Sequence, residues 1–372
     1  MKSIFCPLLI ILCLSLSACG GKSGPSADDA GRQASLLLWQ DLSMRLQEDG
    51  LDVQKTRTLF ARLETPPSLK PMGTKIKELY SNRFLSRPAE SKPKPQQSVQ
   101  TSLGIPGPWF KGVVSRQNAQ KCREFIKSNS ASFRKAEARY GVPREVGAAL
   151  LFVETRHGAF TGSQNAFLSL ASMSVKRSPK EVVRHIGDLP GAWDRLDWIE
   201  TRMEEKSEWA YRELTALLEY CWANGLDPME VPGSVYGAIG MCQFMPSNIP
   251  LFGEDGNGDG VIDLFDAPDA ILSLSRYLSE NGWRRGMDLQ GQVKALMRYN
   301  RMTKYAHTIL ALAKTIEDIE HPSAQKKRAG VRKVTVRKST TIGQKSGYEV
   351  ETKAKKKRWV TAKGRDITPY VK

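Results

Sequence analysis

The sequence predicts a mainly α-helical protein, and three observations carry that expectation. Apolar residues recur at helical spacing through most of the chain, and Gly and Pro interrupt those stripes at helix-length intervals. No segment before residue 320 alternates convincingly with a period of two. The length of 372 residues allows one large or two ordinary domains, and 40% hydrophobic with 26% charged residues is an ordinary globular composition.

The elements follow in chain order. Lys2 and an apolar run over residues 4–16, interrupted by Pro7, are too short to span a bilayer and read as a secretory signal. The run closes on Leu16-Ser17-Ala18-Cys19, which resembles a bacterial lipobox, so residues 1–19 read as signal peptide and lipobox, and cleavage would leave Cys19 as the acylated first residue of the mature chain. A signal peptide cut after a small residue is the competing reading. Gly20, where an Asp would signal retention at the inner membrane, implies the periplasmic face of the outer membrane, with acyl chains as the tether.

Residues 20–86 read as an N-terminal helical region. Leu36, Leu37, Trp39, Leu42 and Leu46, then Val53, Leu59, Phe60 and Leu63, make two stripes divided by Gly50 and closed by Thr65-Pro66-Pro67. Residues 87–108, rich in Pro, Lys and Ser, read as a linker. The main domain is expected over residues 109–320, with helices over residues 125–140, 193–203, 208–222, 268–281 and 290–319. Pro143 is expected at the first position of a further helix, with Arg156 and His157 in its last turn and Gly158 beyond.

The net charge of +17 is largely local: most of its excess sits in residues 321–372, in runs such as Lys326-Lys327-Arg328 and Lys355-Lys356-Lys357-Arg358. This basic tail is expected to be disordered or to form short strands. The export signal argues against nucleic acid, and the tail suits an anionic envelope surface. Cys122, Cys221 and Cys242 remain after the signal, so one disulfide at most can form within the chain, and buried free thiols are an equal expectation.

In the helix after Pro143, Val146, Ala149, Leu150 and Val153 make one apolar stripe with Glu154 at its edge. Burial disfavours an ionised carboxyl, raising its pKa until it can hold a proton for a leaving alkoxide at neutral pH. Alone, a helical Glu is usually a solvated surface group. Three blocks add specificity: Tyr140-Gly141-Val142-Pro143 with Val153-Glu154-Thr155-Arg156-His157-Gly158, then Gly233-Ser234-Val235-Tyr236-Gly237-Ala238-Ile239-Gly240-Met241-Cys242-Gln243-Phe244-Met245-Pro246-Ser247, then Arg298-Tyr299-Asn300-Arg301-Met302-Thr303-Lys304-Tyr305-Ala306. In this order they resemble the membrane-bound lytic murein transglycosylase B family.

The resemblance implies a lysozyme-like catalytic core that cleaves the β-1,4 bond between N-acetylmuramic acid and N-acetylglucosamine of peptidoglycan, leaving a 1,6-anhydro ring. It makes Glu154 the single general acid, then base. Ser234 and Gln243 would bind sugar or orient Glu154, Tyr299 and Asn300 would line the groove near the scissile bond, and Tyr305 would lie further along. Cys242 stands where relatives commonly carry a small residue, and the family's substrate-holding arginines have no secure counterpart over residues 175–229. Rival readings are a hydrolytic muramidase, which needs a second carboxylate within about 5–10 Å, and a non-catalytic peptidoglycan-binding lipoprotein.

Residues 255–266 fit a 12-residue EF-hand loop. Asp255, Asn257, Asp259 and Asp263 offer side-chain oxygens, Val261 its carbonyl, and Asp266 closes the loop and would cap the next helix, with Gly260 at the sharp turn. A structural calcium ion is the expected cofactor, a metal-free Asp/Gly turn the alternative.

Overall fold

The computed structural model describes residues 27–85, 103–187, 189–321 and the strand segments 335–338, 347–351 and 357–361. Cys19 with the signal segment, most of the expected linker over residues 87–108 and the basic run at 326–328 lie outside the described residues. The chain divides into two compact units, Met1–Ser68 and Leu69–Lys372.

In the first unit, α1 (Ala27–Glu48) and α2 (Val53–Phe60) form a helical hairpin turned at Gly50, whose φ of 99° suits only glycine. The Asp52 carboxylate accepts from the Lys55 N–H at 2.8 Å and caps α2. Trp39, Leu42, Leu46, Leu59 and Phe60 are buried, and the Trp39 indole N–H donates to the Thr65 carbonyl at 2.7 Å.

The expected N-terminal region of residues 20–86 is therefore corrected: its last helix, α3 (Lys70–Tyr80), belongs to the second unit. Met72, Ile76 and Tyr80 line a buried face of α3, which packs on α7 (Ala166–Ser174), α8 (Pro179–Ile186) and α9 (Leu196–Ala223). The Tyr80 hydroxyl donates to the Pro190 carbonyl at 2.7 Å, and its ring lies against Phe84 and Trp198.

Where one helix was expected over residues 125–140 there are two, α4 (Arg116–Ser128) and α5 (Ser130–Tyr140), because Asn129 leaves helical geometry at φ −113° and ψ 30°. Residues 193–222 instead merge: a short turn at Trp193–Arg195 leads into the continuous α9. Pro143 precedes α6 (Arg144–Thr155) as its N-cap with extended ψ rather than opening its first turn.

Helix α6 is the central rod. Val146 and every residue from Ala148 to Phe152 are buried, against α4, α5, α13 (Thr303–Glu320) and α11 (Ala267–Glu280), which follows the single-turn α10 (Ile249–Phe252). The expected helix over residues 290–319 is divided into α12 (Leu289–Tyr299) and α13, since Asn300 adopts an extended conformation between them. Two-residue strands β1 (Gln164–Asn165) and β2 (Pro232–Gly233) pair antiparallel, a local feature too short for a period-two pattern to reveal. The described parts of the tail form an antiparallel meander of β3 (Thr335–Lys338), β4 (Gly347–Glu351) and β5 (Lys357–Thr361).

Candidate functional site

Helix α6 and helix α13 run antiparallel. Arg144 at the start of α6 lies 3.7 Å from Glu320 at the end of α13, and at the other end the Tyr305 hydroxyl donates to Glu154 Oε1. Glu154 is only partly exposed, on the last turn of the apolar rod. Burial raises its pKa to about 7, against the opposing pull of the Tyr305 hydrogen bond, and no charged group figures among the causes. Tyr305, 3% exposed, is thus in direct contact with Glu154 rather than further along the groove. The correction reflects packing between segments far apart in sequence, which motif order does not encode.

Tyr299 lies parallel to Tyr305, with ring centroids 6.4 Å apart, and its hydroxyl donates to the Cys242 carbonyl. Tyr277 packs edge-on to Tyr299 at 5.0 Å, so three tyrosines back the carboxyl. Burial holds the Tyr299 and Tyr305 hydroxyls far above the ordinary phenol range, and both stay neutral donors at any working pH. Asn300 is exposed beside them.

Helix α6 stops abruptly after Glu154, which fixes where the carboxyl points. Arg156 and His157 both take left-handed φ, at 55° and 59°, so they lie beyond the helix and not in its last turn as expected. Thr155 enforces the stop. Its hydroxyl donates to the Met241 carbonyl at 2.8 Å and accepts from the Gly158 N–H at 3.0 Å. The His157 ring stacks on Phe125 at 4.1 Å, and Nε2 donates to the Ala148 carbonyl at 2.9 Å. Burial pushes this imidazole down to about 4, so it is neutral at physiological pH.

Gln243 is the third non-glycine residue with positive φ among the described residues, at 49°. Its amide donates to the carbonyls of Thr161 and Gly240, each at 3.0 Å, strapping the loop after α6 to the second block. Ser234 serves its own turn: Oγ accepts from the N–H groups of Tyr236 at 3.2 Å and Ala238 at 3.0 Å, and it makes no hydrogen bond to Glu154. Close backbone approach makes Gly162 necessary, since a Cβ there would lie 2.0 Å from the Gly233 carbonyl oxygen. Cys122, Cys221 and Cys242 are all free and buried.

Two supporting residues escaped the sequence reading. Thr155 sits unmarked beside Glu154. Glu213 on α9 is 5% exposed, and its carboxylate accepts from both the N–H and the O–H of Ser247, at 3.0 and 2.9 Å, anchoring the end of the second block. Nothing in its spacing singles it out from the other acids of α9.

In the EF-hand-like loop, the Asp255 carboxylate accepts from the N–H groups of Gly258, Asp259 and Gly260, which hold it below the usual range. The Asn257 amide nitrogen donates to Asp259 at 2.9 Å and to Asp266 at 3.3 Å, so three oxygen-bearing side chains converge there. Asp266 occupies the N-cap position of α11 but makes no cap hydrogen bond, a correction that this contact explains. Among the described residues no three acidic, histidine or cysteine side chains gather closely enough to hold a metal by themselves. An EF-hand set also draws on an amide and a backbone carbonyl, here Asn257 and Val261, and this mixed oxygen set fits a hard cation. Asp269, fully buried on α11, binds the loop's base by accepting from the Gly256 and Asp263 N–H groups at 2.8 and 2.7 Å.

A helical core carrying one shielded glutamate backed by tyrosines has a lysozyme-like fold of the lytic transglycosylase type. The same fold occurs in SLT35 of Escherichia coli, solved with bulgecin A, at TM-score 0.53 and 19% identity, covering 75% of this chain and 92% of that one. SltB3 of Pseudomonas aeruginosa, solved with NAG-NAM-pentapeptide, matches at TM-score 0.53 and 18% identity, over 76% of this chain and 80% of that one. Residues 38–363 match the family described as Transglycosylase SLT domain, and the chain belongs to that family. It is also 29% identical over 226 residues, 59% of this chain, to the membrane-bound lytic murein transglycosylase B of Escherichia coli (strain K12). The chain spans about half, 55%, of that curated relative's length.

Proposed function

We propose that the protein is a lytic transglycosylase that cleaves the β-1,4 bond between N-acetylmuramic acid and N-acetylglucosamine in peptidoglycan. The observation that carries this reading is the Glu154 carboxyl, raised to about 7 by burial, with no second carboxyl among the influences on it. Near neutrality such a group is present both as acid and as base. As acid, Glu154 protonates the glycosidic oxygen as the bond to C1 breaks. As carboxylate, steadied by the Tyr305 hydroxyl, it takes the proton from the C6 hydroxyl, whose oxygen closes on C1 as a 1,6-anhydro ring. A hydrolytic muramidase would need a partner carboxylate to activate water or attack C1, and the surroundings of Glu154 favour the single-carboxyl route.

Tyr299 and Asn300 line the groove wall in this reading. Gln243 and Ser234 act by shaping the second block, with the Gln243 Oε1 left to meet sugar. A calcium ion would be held by Asp255, Asn257, Asp259, Asp263, Asp266 and the Val261 carbonyl, and its contribution is bracing. Lipid attachment at Cys19 to the periplasmic face of the outer membrane, with the basic tail on an anionic surface, accords with the membrane-bound relative.

Digestion of purified sacculi followed by mass spectrometry tests the reaction. The protein should release anhydro-muropeptides, and Glu154→Gln should reduce the yield at least about a thousandfold while remaining folded. Reducing muropeptides, or undiminished release by the variant, would falsify the assignment.

A further inference from the structure

Five large apolar side chains of the second unit are exposed among the described residues: Leu85, Phe160, Trp193, Leu251 and Met302. Two of them stand at the same end of the α6–α13 pair. Phe160 follows the helix that ends just after Glu154, and Met302 immediately precedes the helix that carries Tyr305. Since those helices run antiparallel and meet through the Glu154–Tyr305 hydrogen bond, both loops leave the pair at the end that carries Glu154.

Phe160 is 73% exposed, yet its backbone is held on both sides. Its N–H donates to the Thr155 carbonyl at 2.9 Å, and the next residue's carbonyl accepts from Gln243 at 3.0 Å. Two residues further, Gly162 is pressed against Gly233 so closely that no Cβ fits. A ring presented to water on a strapped loop costs solvation free energy and returns no packing, since Phe160 makes no aromatic contact among the described residues. Met302 is 48% exposed, and its carbonyl accepts from the Tyr305 N–H at 2.9 Å, so it too is fixed relative to the site.

We propose that Phe160 and Met302 are substrate-binding lips that receive the apolar C–H face of a pyranose ring beside the scissile bond. This rests on the peptidoglycan reading and deepens it. A sugar ring is polar at its rim and apolar on its axial C–H faces, so an aromatic platform and a polarizable thioether complement it while hydroxyl and amide groups are met elsewhere in the groove. Because the backbone of this loop is already held before substrate arrives, less conformational entropy is lost on stacking.

The test is binding of the Glu154→Gln protein to purified sacculi by co-sedimentation, with and without Phe160→Ser, Phe160→Tyr or Met302→Ser, alongside digestion kinetics in the Glu154 background. Phe160→Ser should weaken binding about fivefold or more and raise KM by more than it lowers kcat, with the melting temperature unmoved. Met302→Ser should do the same more weakly, and Phe160→Tyr, which keeps the ring, should restore binding. Sacculus binding and KM unaffected by Phe160→Ser would overturn this inference and leave the chemistry at Glu154 standing. Failure of the Glu154→Gln protein to bind sacculi at all would overturn the peptidoglycan reading together with it.

Discussion

Burial and Tyr305 pull the Glu154 carboxyl in opposite directions, burial raising its pKa and the hydroxyl lowering it, with burial the larger. The sign of the pH dependence follows. In the proposed reaction bond cleavage begins from the protonated form, so the rate should fall as pH rises through about 7. Replacing Tyr305 by Phe removes the donor that favours the carboxylate, so that descending limb should move to higher pH while the rate at pH 5 drops, by about tenfold, for want of the steadied base. A pH–rate profile of Tyr305→Phe with its limb unmoved, or moved to lower pH, would contradict the role given to this hydroxyl. Linkage gives the same carboxyl a second signature. A raised acid pKa contributes stability that is present below the unfolded value of 4.5 and lost as pH rises through about 7. The Glu154→Gln protein should therefore melt higher than its parent at pH 8 and no higher at pH 4.

At the scale of elements, the helices of the core were legible wherever an apolar stripe ran uninterrupted, as in α6 and α11. The breaks were not. Asn129 and Asn300 divide expected helices although neither neighbours a Gly or Pro, because tertiary packing sets those directions. The motifs named residues that the fold places near one another, with Tyr305 on Glu154 and Tyr299 beside Tyr305. What the motifs could not supply was adjacency, which is why Tyr305 turned out to touch Glu154 and Ser234 to serve its own turn. The acid-rich loop was legible by spacing, but Asp269, three residues past its end, was invisible to a 12-residue pattern and binds the loop's base. The loop's response to chelation follows from that division of labour. Calcium should raise the melting temperature and EDTA should reverse the gain, by a few degrees, with most sacculus-digesting activity retained because Asp269 keeps the base closed. Collapse of activity on chelation at a temperature where helicity is intact would show that the ion does more than brace.

The molecule as a whole combines a near-neutral helical body with a cationic tail whose described parts pair as a three-stranded meander. Attraction of such a tail to an anionic surface is screened over about 10 Å at 0.1 M salt. Removing residues 322–372 should therefore lower retention on vesicles containing anionic lipid at low ionic strength, leave retention near 0.5 M salt unchanged, and spare digestion of sacculi free in solution. Equal retention of both forms at low salt would count against the tail as an attachment device. The catalytic pair has a consequence for timing. Its two members stand 151 positions apart in the chain and come together only when α13 docks along α6. A nascent or half-threaded chain presents the acid without its phenol and without the tyrosine wall, so the proposed chemistry would not run in it. Under the proposed reaction, the chain would become active only once α13 has docked along α6.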